Sequence, residues 1–214
     1  MTEIKKTYTN AVFGTHPKNL QDIHLPTKNV AIYQRDITPL QAELAALKAK
    51  SIECRANGSV EEIVSTLREF FQQYLPQAPN LYKDVSDLLR LFEAITKADS
   101  FRLMLSTIRT NMCRKFHTDI NDLRLLCTYI GPGTVWLPNE AIDFEALQTK
   151  GSKRDIVKNH QLVQQAQTGD AIILKGALYP DASPILHQSP VIEEDGGKRL
   201  LLRIDTNANQ NLWL

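Results

Sequence analysis

Apolar positions recur at two different periods along this chain, and the change of period divides it. Between residue 38 and Lys97 they return every three or four positions, the spacing of one helix face; after Asp99 they alternate or cluster in short runs, as strands do. Thr38-Pro39-Leu40-Gln41 predicts a helix start, with Thr38 as the cap, Pro39 at the first helical position and Gln41 reaching back to the cap. Leu40, Leu44 and Leu47 then mark one face. Ser59-Val60-Glu61-Glu62 repeats the capping pattern, and Ile63, Leu67, Phe70, Phe71 and Tyr74 recur until Pro76 stops the helix. A third helix, over 81–97, carries Leu81, Val85, Leu88, Leu89, Phe92 and Ile95 on one side. Three amphipathic helices in succession must bury their stripes against another layer, and a sheet is the expected partner.

The segments 101–108, 123–130, 135–137, 171–174, 184–186 and 200–204 read as strands. Turns are predicted at Gly131-Pro132-Gly133, Gly169-Asp170 and Gly196-Gly197. Residues 1–37, punctuated by Pro17 and Pro26, read as an N-terminal extension with one short strand at 30–33. The stretch 139–168 is polar and partly helix-like, an excursion from the strand region, and no internal repeat or low-complexity tract is present. Helices first and strands second predict an α+β chain. The expected organisation is a single domain over 1–214, with a helical region at 38–99 and a strand region at 100–205.

Parity in the last strand predicts where charge goes. Lys198, Leu200, Leu202 and Ile204 share one face, while Arg199, Leu201 and Arg203 share the other. If the helices cover the aliphatic face, both arginines point inward. A buried, unpaired guanidinium costs several kcal/mol or more, so an anionic ligand is expected there.

With 214 residues, 43% hydrophobic content and a formal charge of +1, the chain is long enough for one well-packed core. Scattered Lys and Arg residues make no basic stripe, so nucleic acid is not an expected partner. Met1-Thr-Glu-Ile-Lys-Lys6 has no apolar run behind it, and no segment approaches the roughly twenty apolar residues that cross a bilayer, so a cytoplasmic protein without a membrane partner is expected. Cys54, Cys113 and Cys127 are odd in number and lack C-x-x-C spacing, which argues against a disulfide framework or a zinc knuckle.

The candidate chemistry lies in His117-Thr118-Asp119 and in His187. On an extended chain, residues two apart point to the same side, so His117 and Asp119 can reach one ion, and a third ligand must come from another segment. Two imidazoles and one carboxylate make the open set that iron(II) uses when it keeps positions free for chemistry. The plainer reading of His-x-Asp is a hydrogen-bonded surface pair, and that of Arg199 is a surface pair with Glu193 or Glu194. Cys113 reads as a small buried thiol or as a further ligand. Arg124 and Tyr129 fall on opposite faces of one strand; either can reach a ligand, and Tyr129 also suits a core aromatic with its hydroxyl satisfied. His16, His24 and His160 show no ligand spacing and read as surface residues.

His117-x-Asp119, the Gly169-Asp-Ala-Ile-Ile-Leu-Lys175 turn and strand, His187, Gly196-Gly-Lys-Arg199 and Arg199-Leu-Leu-Leu-Arg203 together resemble the iron(II)- and 2-oxoglutarate-dependent oxygenases. That resemblance implies a double-stranded β-helix (jelly-roll, cupin-like) with the N-terminal helices on the outer face of one sheet. It also implies iron(II) on His117, Asp119 and His187, and 2-oxoglutarate anchored by Arg199 or alternatively Arg203, with Tyr129 as a further co-substrate contact. Bidentate arginine–carboxylate pairing is the geometry of such an anchor. The implied activity is a dioxygenase, or hydroxylase, acting on a small molecule or a protein side chain. More narrowly, Cys113-x-x-Phe116-His-x-Asp119, Leu123-Arg-Leu-Leu-Cys-Thr-Tyr129, Gly131-Pro-Gly-Thr134 and His187-x-Ser-Pro190 resemble a bacterial family known as a domain of unknown function. Its members are often encoded near zinc-homeostasis functions, which implies the alternative of a non-redox zinc protein using the same triad, with Cys113 as a fourth ligand.

Overall fold

The computed structural model describes residues 8–149, 155–180, 183–194 and 197–206. Met1 to Lys6, Gly196 and residues 150–154 of the polar excursion lie outside the described residues. In chain order the elements are β1 (Ala11–Gly14), β2 (Val30–Tyr33), α1 (Gln41–Leu47), β3 (Glu53–Gly58), α2 (Val60–Tyr74), α3 (Pro79–Thr96), β4 (Phe101–Ile108) and β5 (Leu123–Ile130). After them come β6 (Val135–Trp136), α4 (Phe144–Gln148), β7 (Gln164–Gln165), β8 (Ala171–Lys175), β9 (His187–Gln188) and β10 (Arg199–Thr206). The fold is mixed α+β. A large sheet runs β1-β2-β8-β5-β10-β4-β3, antiparallel except for the β1–β2 pair, and a small antiparallel sheet runs β7-β6-β9.

The helices form where the spacing of apolar residues predicts them. The Ser59 side chain caps α2 by accepting from the Glu62 N–H, and the Ser59 N–H donates in return to the Glu62 carboxylate, as the motif requires. The apolar face of α3 buries Leu81, Val85, Leu88, Leu89, Phe92 and Ile95, each such side chain contributing about 1.5–3 kcal/mol. No side chain of its own caps α3; Glu43 of α1 accepts from the backbone N–H of Asn80 and Leu81 and so ties the two helices together. Thr38 does not cap α1. A short 3₁₀ turn, Thr38–Leu40, precedes that helix, and Asp36 accepts from the Thr38 N–H instead.

Among the elements that carry no signal the periodicity rules detect are β1, β3, β7 and the 3₁₀ helix Pro17–His24. β3 has one fully apolar position, Cys54, that is buried, and it is held as an edge strand by pairing with β4. The expected strand at 184–186 is instead extended backbone leading to β9, with the Ile185 N–H donating to Lys175. Among the described residues no helix is long and apolar enough to cross a membrane.

Strand parity gives the large sheet a core on each face. On the outer face of the large sheet, Leu103, Leu105, Leu123, Leu125, Cys127, Leu200, Leu202 and Ile204 pack against the helices. On the inner face, Met104, Leu126, Ile172, Leu174 and Leu201 pack with Trp136 and Ile185, so this second core lies between the two sheets. Arg199, Leu201 and Arg203 do face inward, as the alternation in β10 predicts, despite a register shift between Leu200 and Leu201.

Candidate metal centre

The His117–Asp119 dyad sits on the loop between β4 and β5 rather than on a strand. Hydrogen bonds on both sides hold this loop in place. His117 and His187 exchange both backbone N–H···O bonds at 3.0 Å, forming an isolated antiparallel bridge that joins the loop to β9. Further along, the N–H groups of Ala177, Leu178 and Gly176 donate to the carbonyls of Asp119, Asn121 and Asp122 at 2.8 Å each. Gly176 is required there: a Cβ would lie 2.0 Å from Asn121 Oδ1 and 2.2 Å from its carbonyl oxygen.

These constraints bring His117, Asp119 and His187 together, with one ligand atom from each lying within 4.8 Å of the others. His117 Nε2 is 3.5 Å from Asp119 Oδ1, and His187 Nε2 is 3.2 Å from Asp119 Oδ2. Nδ1 of His117 faces the Lys115 carbonyl at 3.1 Å, and Nδ1 of His187 faces the Ile185 carbonyl at 3.4 Å. A carbonyl only accepts, so each Nδ1 carries a proton, and a metal would take the place of any proton on Nε2. Burial works against the charged form of Asp119. The hydrogen bond from His187 and the charges of Arg124, His187 and His117 outweigh it and hold the carboxyl at about 2, so Asp119 is an ionised ligand at neutral pH.

Arg124 is the residue that orients this carboxylate. One terminal nitrogen donates to Asp119 Oδ2, while Nε and the other terminal nitrogen hold Asp205 at 2.5 Å and 3.2 Å. Asp205, itself buried, also accepts from Asn121 at 3.2 Å. Its position facing the cavity follows from the alternation in β5; its bridging role depends on Asp205, which is distant in sequence and carries no motif.

The same cavity, a narrow space of about 70 Å³, is lined by Cys113, His117, Arg124, Thr134, His187, Arg199 and Arg203, among others. Arg199 is 1% exposed, and its terminal nitrogen donates to Thr128 Oγ1 at 2.9 Å and Thr134 Oγ1 at 3.3 Å. Its Nε has no partner among the described residues, and burial pulls the guanidinium down to about 10. The surface-pair reading of Arg199 does not hold, because Arg199 is buried and Glu193 is engaged by Asn111 and Arg114. Arg203 also lines the cavity, but its Nε is 3.2 Å from Asp205 Oδ2.

Tyr129 is not part of this site. It occupies the odd-numbered face of β5 and packs in the outer core, where its hydroxyl donates to Asp84 Oδ2 at 2.5 Å. The alternation that turns Arg124, Leu126 and Thr128 toward the cavity necessarily turns Tyr129 away. Cys113 lines the cavity but is absent from the ligand cluster. Burial, and then the Asp119 charge, raise its thiol, so it stays protonated in the metal-free site. Of the remaining histidines, His16 caps the 3₁₀ helix Pro17–His24, His24 bridges Tyr179 and the Ile95 carbonyl, and His160 pairs with Asp155.

A protein family described as "Protein of unknown function (DUF1826)" matches residues 14–205. No curated protein sequence matches the chain. Among solved structures, the dioxygenase for auxin oxidation 1 from Arabidopsis thaliana, in its complex with 2-oxoglutarate, is similar at 8% identity with a TM-score of 0.50, covering 92% of this chain and 91% of that one. Full-length T7H from Neurospora crassa in complex with alpha-KG is similar at 11% identity with a TM-score of 0.46, covering 92% of this chain and 83% of that one. At these identities the likeness is one of fold.

Proposed function

Because the chain belongs to the family described as protein of unknown function DUF1826, a membership that names no reaction, we propose its function from the site: a non-haem iron(II)- and 2-oxoglutarate-dependent oxygenase. The observation that carries this reading is Arg199, a fully buried guanidinium without a carboxylate partner among the described residues, lining the same cavity as a His-Asp-His cluster. A buried cation of this kind calls for an anion, and a dicarboxylate that also chelates the metal supplies it. The fold likeness to a dioxygenase holding 2-oxoglutarate supports the same reading, and with it the assignment of the two stacked sheets to a double-stranded β-helix in a single domain.

The donor set fits iron(II): two imidazole nitrogens and one carboxylate leave coordination positions open. When bound, iron(II) with 2-oxoglutarate and dioxygen supplies an oxidation in which the keto acid becomes succinate and CO₂, one oxygen atom entering succinate and the other a substrate C–H bond. The chain's own tasks are binding and orientation. His117, Asp119 and His187 would hold the metal; Arg124, fixed by Asp205, keeps Asp119 aimed at it; Arg199, with Thr128 and Thr134, would hold the distal carboxylate. His187 and Asp119 are largely shielded whereas His117 is 36% exposed at its side chain, so a substrate enters from the His117 side. The substrate class is a small molecule or a protein side chain. In the alternative of a zinc protein of metal homeostasis, nothing calls for the buried cation of Arg199, and Cys113 stands outside the ligand cluster.

Anaerobic addition of iron(II) and 2-oxoglutarate to the apoprotein tests this. A visible charge-transfer band is expected, lost in His187→Ala together with stoichiometric iron. No band, alongside tight one-to-one zinc binding that excludes iron, would replace the oxygenase reading with the zinc reading.

A further inference from the structure

A second cavity, of about 140 Å³, lies on the inner face of β3, β4 and β10 and is lined by Arg55, Asn57, Arg102, Met104 and Arg203 among others. The register places these residues side by side: Arg55, Met104 and Arg203 are in one cross-strand row, and Asn57 and Arg102 are in the next. Three guanidiniums from three adjacent strands therefore surround one small space. Met104 and Arg203 also line the metal cavity, so the two spaces share a wall.

The charges of Arg203 and Arg55 in this second space are loosely matched. The carboxylate beside Arg203 is Asp205, at 3.2 Å, and both of its oxygens are already engaged by Arg124 and one of them by Asn121. The Nε of Arg203 makes no directed hydrogen bond even to Asp205. Arg55 is tied to Glu53 in an exposed pair, of the kind worth about 0–1 kcal/mol and readily exchanged for a ligand. A forked guanidinium pairs best with a planar or tetrahedral oxyanion. The size of the cavity admits an anionic headgroup with little else attached.

We propose that the substrate of this enzyme is an anion whose carboxylate or phosphate headgroup binds among Arg55, Arg102 and Arg203, with the carbon to be oxidised reaching past Met104 into the metal cavity. This rests on the oxygenase reading and adds the substrate class to it. Arg199 and Arg203 then divide the work: the first serves the co-substrate, the second the substrate.

The test uses the full-length chain loaded with zinc(II) as a diamagnetic stand-in, saturated with 2-oxoglutarate, and follows the arginine Nε–H resonances by NMR. Acetate and methyl phosphate are titrated separately. Saturable shifts of Arg203 and Arg55, with Arg199 already shifted by 2-oxoglutarate, are expected, and the tighter of the two anions names the headgroup. Arg55→Gln, at an exposed position, should weaken that binding about tenfold, equivalent to about 1.4 kcal/mol, without moving the unfolding midpoint. Arg203→Met should remove the Arg55 shift. The proposal falls if neither anion moves Arg203, or if 2-oxoglutarate alone saturates the Arg203 signal, since the pocket would then belong to the co-substrate. A co-substrate that leaves Arg199 unmoved while the anions still saturate Arg203 would instead overturn the oxygenase reading alone.

Discussion

Two shielded arginines on opposite faces of the large sheet, Arg35 and Arg199, are treated in opposite ways. On the outer side Arg35 lies between helix and sheet with a complete set of partners: Asp84 at 2.7 Å and 3.2 Å, the Gly169 carbonyl at 2.8 Å and the Cys127 thiol at 3.3 Å. Asp84 is in turn held by the Tyr129 hydroxyl. On the inner side Arg199 has two threonine hydroxyls and no carboxylate. A buried charge with its counterion inside the protein is part of the fold; one without it is a receptor for a charge that comes from outside. On the proposed function Arg199 thus trades stability for binding, and Arg35 does not.

Substitutions on the two faces should therefore have different signatures. A large loss of stability is expected for Asp84→Ala, which strands Arg35. Breaking a buried pair costs about 3–5 kcal/mol, and the 22% exposure of the Asp84 side chain sets the expectation at the low end, about 3 kcal/mol. Urea unfolding measures it, and a loss below about 1 kcal/mol would erase the contrast. Arg199→Leu should do the reverse. Replacing an unpaired buried charge by an apolar side chain is neutral or stabilising, here by about 1 kcal/mol, while 2-oxoglutarate affinity in the iron-loaded protein should fall by about 2–3 kcal/mol. A large drop in the unfolding midpoint of this variant would mean that Arg199 is a structural residue after all. The smallest effect sharpens the picture within the inner face: Arg124→Met should weaken iron binding about 10- to 100-fold by releasing Asp119. Equilibrium dialysis would detect it, and unchanged affinity would reduce Arg124 to a bystander.

Much of this arrangement is legible in the chain. The helical stripes of α2 and α3, the Ser59 capping box and the alternation in β10 all follow from local periodicity, because burial on one face imposes a repeat that a sequence must carry. The His-x-Asp dyad and His187 are legible as residue types with suitable spacing. β1 and β3 are not, since β1 is only four residues long and β3 is mixed in polarity, and each is a strand chiefly because a neighbour offers it hydrogen bonds. Tyr129 shows the limit at single residues. Its alternation with Arg124 is plain in sequence, but which of the two faces a ligand depends on where the helices pack.

By itself, then, the sequence determined which segments are amphipathic, which residues share a face and which side chains are chemically able to bind a metal, because these depend on interactions within a few residues. Only the tertiary structure decided that His187 meets His117 across a backbone bridge, that Asp205 and Arg124 aim Asp119, and that Arg35 has a carboxylate while Arg199 has none. Arg35 and Asp84 are 49 positions apart, and Arg124 and Asp205 are 81 apart. Whether a buried charge is satisfied depends on what the folded chain brings within hydrogen-bonding distance of it, and local pattern carries no record of that.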